Sequence, residues 1–310
     1  KETCWVLTGP TASGKTKLSL RLARTHDCEI VCMDSMQIYR AMDIGTAKPT
    51  ADECAQAMHH MVDVADPTED FSVARYQEMA ESCIADIQAR GHRALLVGGT
   101  GLYLRALRQP MAMGEAAADE SIRQELQQIA DAPGGKEQLH QQLAAVDPDT
   151  AQRLHLNDVR RVIRALEVYR LTGRPFSQQP QIKTDSRFSY RVASLTMPRD
   201  ILYARIEQRI DQMLADGLAE EVSRLLKGGV PRDAKAMKAI GYKEMIPYAL
   251  GETTLDEAVY ALKLNTRHYA KRQLTWFRRN PQLCWLRMTG QEDFAQILAA
   301  ARQNIPFSAL

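Results

Sequence analysis

The stretch TCWVLTGPTASGKTKLSLRLARTH, residues 3–26, decides the fold class of this chain. Its first six residues combine β-branched and aromatic side chains, which predicts a buried strand. A loop that contains glycine and proline follows, and residues 15–26 then space their leucines as a helix does. A strand, a glycine-rich loop and a helix in this order are typical of a P-loop, NTPase-like α/β protein.

The loop matches the pattern GxxxxGK[ST], and its residues suit an anion. It consists of Gly9, Pro10, Thr11, Ala12, Ser13, Gly14, Lys15 and Thr16. The glycines let backbone N–H groups converge on phosphate oxygens, the helix N-terminus adds partial positive charge, and Lys15 supplies a cation. The Thr16 hydroxyl can ligate Mg²⁺. The loop alone leaves open whether the bound group is a nucleoside triphosphate or another diphosphate, and a plain glycine turn is the alternative.

Strand-like and helix-like stretches alternate along the rest of the chain. The further predicted strands span residues 29–33, 60–64, 92–99, 190–197 and 283–287. The further predicted helices span residues 72–90, 158–171, 199–216, 218–227, 235–249 and 254–279. This alternation predicts a parallel sheet with right-handed crossovers. Residues 115–156 are instead rich in Ala, Gln and Glu, so we predict a core of residues 1–113 and 187–310 with an all-helical insertion at 114–186.

The composition is that of an ordinary globular protein. The 310 residues are 45% hydrophobic and 25% charged, which excludes a disordered, collagen-like or disulfide-rich chain. The six cysteines form no CxxC pair, which favours reduced thiols in a cytoplasmic protein. Because no apolar run reaches transmembrane length and no signal peptide precedes the first strand, we expect no membrane association. We also expect a monomer.

The net charge of +2 combines two opposed halves. Residues 1–150 hold 14 Lys and Arg against 22 Asp and Glu, whereas residues 151–310 hold 26 against 16. The basic second half suggests a polyanionic partner. Its stretches 160–164 and 267–279 carry most of the clustered cations, and the second interleaves them with aromatic rings. Cations for phosphates and rings for bases suit an RNA surface; a solvated helix whose aromatic residues lie in the core is the alternative.

Two features lie at the carboxyl ends of predicted strands, where open parallel sheets bind ligands. Asp34 follows the second strand, so we expect its side chain to face the anion loop. A carboxylate there repels a diphosphate but can remove a proton from a nucleophile; a helix N-cap or an Asx turn is the alternative. Residues 98–101, GGTG, form a second glycine-rich turn where a kinase usually carries a metal-binding acid. This turn serves either close packing or phosphate binding.

The ordered motifs of the chain resemble those of the tRNA dimethylallyltransferase family. They are GPTASGKT at 9–16, DSMQIY at 34–39, MDIGTAKP at 42–49, HHMVD at 59–63, GGTGLY at 98–103, NDVRRVIRALEVY at 157–169, KAIGYKE at 238–244 and TRHYAKRQLTWFRR at 266–279. The resemblance implies transfer of a dimethylallyl group from dimethylallyl diphosphate to N6 of the adenosine at tRNA position 37, with the anticodon stem-loop bound to the protein. The base and the diphosphate would meet in a tunnel through the α/β core.

The resemblance also implies roles for individual residues. Asp34 would be the general base toward the adenine amine, and Thr100 would support the diphosphate near the reacting carbon. Residues 9–16, which the family also uses for nucleotide and ATP binding, would hold the donor together with Arg209, with Mg²⁺ near Thr16. The implied tRNA-contacting residues are Asp34, Ser35, Met36, Gln37, Thr100, Arg160, Arg161, Val162, Ile163, Arg164, Lys238, Ala239, Ile240, Gly241, Tyr242, Lys243, Lys271, Arg272, Gln273, Leu274, Thr275, Trp276, Phe277 and Arg278.

Three other activities compete with this interpretation. A small-molecule P-loop kinase fits the phosphate loop, but the missing acid after the strand at 92–99 disfavours it. An adenylate dimethylallyltransferase would perform the same chemistry on a free nucleotide, and the basic second half disfavours it. A non-catalytic RNA-binding module would have no use for Asp34.

Overall fold

The fold is built on one parallel sheet. A computed structural model describes residues 1–109, 119–179, 185–280 and 283–289, together with residues 295, 296 and 299. The strands are β1 Thr3–Thr8, β2 Cys28–Cys32, β3 His59–His60, β4 Arg93–Val97, β5 Ser189–Thr196 and β6 Cys284–Arg287. They lie in the order β3-β2-β4-β1-β5-β6, and every neighbouring pair is parallel.

Helices connect and cover the strands. They are α1 Lys15–His26, α2 Ala51–Gln56, α3 Val73–Ala89, α4 Gly101–Arg108, α5 Glu120–Asp131, α6 Gly135–Val146, α7 Pro148–Arg153, α8 Val159–Thr172, α9 Arg199–Ala215, α10 Leu218–Lys227, α11 Tyr242–Ala249 and α12 Leu255–Arg278. The P-loop α/β class that residues 3–26 predict is therefore confirmed. Within the described residues, no helix has the combination of length and apolar character that a membrane span requires.

Strand β1 lies inside the sheet and is apolar for that reason. Val6 pairs with Leu96 of β4 on one side and with Val192 of β5 on the other. Cys4, Val6 and Leu7 have no exposed surface. A parallel strand that helices cover on both faces must be hydrophobic along its whole length rather than at alternate residues. The phosphate loop thus follows directly from a buried strand inside the sheet.

Two predicted elements are wrong in extent. The strand predicted at 60–64 is only the pair His59–His60, because Met61 and Asp63 adopt left-handed backbone angles, φ 62° and 56°, that no strand accommodates. The helix predicted at 235–249 is broken into a 3₁₀ turn, Ala236–Lys238, and helix α11. Gly241, with φ 102°, makes the break, and this region of φ favours glycine.

The described residues form two compact units, one within Lys1–Arg108 and Ser186–Leu310 and the other within Gln109–Asp185. The second unit contains helices α5 to α8 and, among its described residues, no strand. It has its own apolar core around Leu126, Leu143 and Val162. The boundary predicted at residue 114 lies outside the described residues.

Candidate active site

A cavity of about 850 Å³ lies where the carboxyl ends of β1, β2 and β4 meet. The chain segments that follow these strands form three of its walls, and helices α9 and α12 add others. Its lining includes Thr11, Ala12, Ser13, Gly14, Lys15, Thr16, Asp34, Ser35, Met36, Gln37, Gly98, Gly99, Arg205, Arg209, Lys238, Ala239, Ile240, Gly241, Lys243, Tyr269, Arg272 and Gln273. The parallel topology accounts for this convergence, since all strands end on the same edge of the sheet.

The phosphate loop curls around the amine of Lys15. Lys15 Nζ donates hydrogen bonds to the carbonyl oxygens of Gly9, at 3.0 Å, and Pro10, at 2.7 Å. Gly9 has φ +143°, and a Cβ there would lie 2.9 Å from the Leu195 carbonyl oxygen, so only glycine fits. Ser13 Oγ is completely buried and has no partner among the described residues. A loop of this shape with an unpaired hydroxyl and a buried cation suits an anionic ligand.

The environment of this wall lowers the pKa values of two of its cations. The pKa of Lys15 is lowered from 10.5 to about 7, chiefly by burial and also by the nearby Arg209 guanidinium, whereas the Asp34 carboxylate opposes the shift. Burial also lowers the pKa of Arg209, again against the effect of Asp34. An incoming diphosphate would supply the negative charge that these cations lack.

Arg205 is a candidate site residue that the sequence did not single out. Its guanidinium lies beside the phosphate loop, because a Cβ on Gly14 would be 3.7 Å from Arg205 Nη2. Arg205 and Arg209 lie one turn apart on α9 and both line the cavity. Neither forms an ion pair with a carboxylate among the described residues. Their i, i+4 spacing could have pointed to a shared role.

Asp34 forms the Asx turn that the sequence offered as one alternative, and it also lines the cavity. Its Oδ1 accepts a hydrogen bond from the Met36 amide at 2.8 Å and a longer one from the Gln37 amide at 3.4 Å, which is an Asx turn. Its Oδ2 makes no hydrogen bond with any residue that the structure describes. The turn therefore holds the carboxylate still while one oxygen stays available in the cavity.

The second glycine-rich turn packs closely and also carries Thr100. A Cβ on Gly98 would collide with the Met33 carbonyl, and one on Gly99 with the Gln273 amide, so close packing explains both glycines. Thr100 Oγ1 accepts a hydrogen bond from the Ser35 amide at 3.0 Å. The hydroxyl thus contacts the residue next to Asp34 rather than lining the cavity itself.

Helix α12 places its predicted RNA-contacting residues in two environments. Phe277 is fully buried and Gln273 nearly so, whereas Lys271, Arg272, Thr275 and Arg278 are exposed. Phe277 therefore fits the alternative interpretation, in which an aromatic residue of this helix lies in the core. A second cavity, of about 510 Å³, is lined by His268, Lys271, Arg272, Thr275, Trp276 and Arg279. Arg272 lines both cavities and joins this basic groove to the main one.

The remaining predicted RNA-contacting residues are also divided by burial. Lys238 and Lys243 are exposed at the main cavity, but Tyr242 between them has no exposed surface. In the second unit, Arg160 and Arg161 are exposed on α8, whereas Val162 and Ile163 lie in the core of that unit. Arg164 of the same helix pairs with the fully buried Glu167, Nη1 to Oε2, at 2.7 Å.

Comparison with known proteins gives one consistent family. A model of the IPP transferase family matches residues 37–280. The chain is 50% identical over 291 residues to a tRNA dimethylallyltransferase of Geobacillus thermodenitrificans, covering 94% of this chain and 92% of that protein. A tRNA dimethylallyltransferase of Geobacter metallireducens is 49% identical over 290 residues, or 93% of each chain.

Comparison with solved structures points to the same family. A tRNA isopentenylpyrophosphate transferase of Bacillus halodurans superposes with a TM-score of 0.74 at 44% identity, covering 99% of this chain and 97% of that one. A eukaryotic dimethylallyltransferase acting on tRNA gives a TM-score of 0.76 at 28% identity, covering 99% of this chain and 77% of that one.

Proposed function

We propose, since this chain belongs to the IPP transferase family, that it transfers a dimethylallyl group from dimethylallyl diphosphate to N6 of adenosine 37 in tRNA and releases diphosphate. One observation carries the proposal: the main cavity brings Asp34 into the same space as Lys15 and the two guanidinium groups of α9. One wall offers a carboxylate base and another binds an anionic leaving group. The substitution requires both.

Asp34 serves as the general base. The Asx turn holds Oδ1, so Oδ2 is the oxygen that receives the proton from the adenine amine. This amine is a weak nucleophile because its lone pair is delocalised into the ring, and loss of a proton as the new bond forms lowers the barrier. The C–N bond forms, the C–O bond to diphosphate breaks, and the proton moves to Asp34. The target base must leave its stack to reach this atom.

The leaving group is bound by the phosphate loop and by three cations. Lys15, Arg205 and Arg209 line the cavity, and the backbone N–H groups of Ala12, Gly14, Lys15 and Thr16 complete the cradle. The amides of Thr11 and Ser13 donate instead to Gln273 and Pro10. Donors that are already in place stabilise negative charge as it develops on the departing diphosphate. Thr100 contributes by holding the Ser35 amide beside Asp34.

The residues of the loop also fit Mg²⁺. Thr16 lines the cavity, and the buried Ser13 hydroxyl has no protein partner among the described residues. The described residues contain no group of three or more His, Cys, Asp or Glu side chains that could hold a metal alone. Such a sparse set suits Mg²⁺, which keeps several waters and relies on substrate phosphates. When bound beside Thr16, the ion would neutralise charge on the diphosphate.

We assign tRNA binding to the exposed cations. Lys238 and Lys243 border the main cavity, and Lys271, Arg272 and Arg278 lie on the exposed side of α12. We assign the unit within Gln109–Asp185 as the predicted helical insertion domain, whose exposed Arg160 and Arg161 offer further phosphate contacts. We propose that the protein acts as a monomer in the cytoplasm, where its acceptor tRNA resides.

A three-acceptor assay tests the proposal. The protein is incubated with Mg²⁺ and labelled dimethylallyl diphosphate together with unmodified tRNA, with AMP, or with tRNA whose position 37 is guanosine. We expect label in adenosine 37 only, identified by nucleoside mass analysis. Label on AMP in preference to tRNA would favour the adenylate dimethylallyltransferase. A parallel incubation with ATP tests the kinase: turnover of ATP together with no prenyl transfer to any acceptor would favour it and overturn the proposal.

A further inference from the structure

Glu221 of α10 is a buried carboxylate that binds a loop on the wall of the main cavity. Glu221 is only 2% exposed. Among the described residues, no Lys or Arg forms an ion pair with it. Oε2 accepts hydrogen bonds from the amides of Asp43, at 3.0 Å, and Ile44, at 2.9 Å. Oε1 accepts from the Gly45 amide at 3.2 Å and from the Tyr242 hydroxyl at 2.5 Å. Four donors therefore satisfy the charge without a cation.

The partners of Glu221 also interlock sterically. A Cβ on Gly45 would lie 2.5 Å from the Tyr242 ring, so the loop can rest on the ring only with glycine at this position. Tyr242 has no exposed surface and begins helix α11 directly after residues 238–241, which line the cavity. The arrangement joins two segments that are far apart in sequence.

The loop continues toward the general base. Gln37 Nε2 donates hydrogen bonds to the carbonyl oxygens of Thr46, at 3.0 Å, and Ala47, at 2.9 Å. Gln37 in turn belongs to the turn that holds the Asp34 carboxylate. Residues 45–48 line the same cavity. Contacts thus run without interruption from Glu221 to the turn of Asp34, and none of them involves the phosphate loop.

We propose that Glu221, with Tyr242, is a positioning residue for the acceptor side of the cavity. The pair fixes the position of residues 43–47 relative to residues 238–241, so that the wall next to Asp34 is preformed before the RNA base enters. Preorganisation of this kind affects the use of the acceptor more than the binding of the donor. The inference rests on the proposed function, because it assigns that wall to the RNA base.

Three substitutions separate the effects of the Glu221 charge, the length of its side chain and the packing of the Tyr242 ring. Glu221→Gln places an amide N–H₂ against amide donors and leaves at least one of them unpaired. Glu221→Asp keeps the charge with a shorter reach, so we expect partial rescue. Tyr242→Phe removes one of four donors and keeps the ring against Gly45. Glu29→Gln is the matched control, since Glu29 is a buried carboxylate of the same unit that binds Arg90 and His60 away from the cavity.

The experiment measures steady-state transfer to tRNA at saturating donor, dimethylallyl diphosphate binding by calorimetry, and hydrogen exchange of residues 40–48. For Glu221→Gln we expect kcat/KM for tRNA to fall about tenfold, with less than about a twofold change in donor Kd. Glu221→Asp and Tyr242→Phe should lose less, and Glu29→Gln should leave both constants near wild type. The amides of residues 43–45 should exchange faster in Glu221→Gln while those of β1 remain protected.

Two outcomes would overturn the inference. Parallel losses of donor affinity and acceptor use in Glu221→Gln would show a general structural role, and unchanged exchange at residues 43–45 would show that the carboxylate does not hold the loop. Failure of the proposed function is distinguished from both, because wild-type protein would then transfer nothing while the exchange comparison would still report on the loop.

Discussion

Gln273 of α12 accepts a hydrogen bond from the Thr11 amide at 2.9 Å, across 262 residues of sequence. Its Nε2 donates to the Gly99 carbonyl at 3.1 Å. One buried amide therefore joins the phosphate loop, the second glycine-rich turn and the helix proposed to bind RNA. Under the proposed function, this side chain connects the elements that bind the two substrates.

Gln273→Ala is expected to weaken donor binding about tenfold, because it leaves the Thr11 amide and the Gly99 carbonyl without their partner. Isothermal calorimetry with dimethylallyl diphosphate measures the loss. Thr275→Ala, at an exposed position two residues along α12, is the control and should bind the donor as wild type does. Equal affinity in both variants would contradict the role given to Gln273.

Asp34→Asn is expected to lower kcat about 10²- to 10⁴-fold while the affinities for donor and tRNA stay near wild type. The asparagine oxygen can still accept from the Met36 amide, so the turn is retained and only the proton acceptor is lost. Single-turnover transfer and filter binding measure the two effects separately. Transfer at the wild-type rate would remove Asp34 from the role of base.

Donor binding is expected to take up a proton above pH 7. Free Lys15, with a pKa of about 7, is mostly neutral at pH 8.5, and a bound diphosphate restores the ammonium. Calorimetry in buffers of different ionisation enthalpy should show an uptake of about one proton that disappears below pH 6. Lys15→Met should show no such uptake. A pH-independent signal in wild type would contradict the depressed pKa.

The same group gives a signed prediction for the ligand-free protein. Between about pH 7 and pH 10.5 the unfolded chain keeps a proton that folded Lys15 has released. The Lys15 contribution to the free energy of unfolding therefore rises with pH across this window. Denaturant titrations of wild type and Lys15→Met at pH 6.5 and pH 9 isolate it, and a contribution that fell with pH would have the wrong sign.

Arg205→Ala is expected to reduce diphosphate affinity about tenfold, as the loss of one charge-assisted hydrogen bond does. Arg199, at the start of the same helix, stacks over Tyr203 with 5.1 Å between its guanidinium carbon and the ring centroid. Arg199→Ala is therefore the matched loss of one arginine from α9 and should leave diphosphate binding intact. Competition of inorganic diphosphate with labelled donor compares the two variants.

Arg160 and Arg164 are expected to respond differently to substitution, although they share one helix face. Arg160→Ala should weaken tRNA binding and lower the salt slope by slightly less than one, with no loss of stability. Arg164→Ala removes a partner of the fully buried Glu167 and should lower the free energy of unfolding by about 1–3 kcal/mol. Salt-dependent tRNA binding and urea denaturation measure these effects. Identical behaviour of the two variants would contradict the assignment.

The elements with strong local signals were predicted well. The strand, loop and helix of residues 3–26 are specified by apolar continuity, glycine positions and leucine spacing, all of which act between near neighbours. Asp34 could be placed beside the loop because parallel strands end on one edge of a sheet. The errors at 60–64 and 235–249 arose where backbone angles at Met61, Asp63 and Gly241 interrupt an apolar pattern.

By itself the sequence determined the P-loop α/β class, the anion loop, the candidate base and the basic character of the second half. Only the tertiary structure decided which polar residues act together. It places Arg205 against Gly14, Gln273 between two loops and Glu221 under residues 43–45. An arginine or a glutamate on an amphipathic helix has the same local pattern whatever its partner. Its partner is chosen by packing between elements tens to hundreds of residues apart.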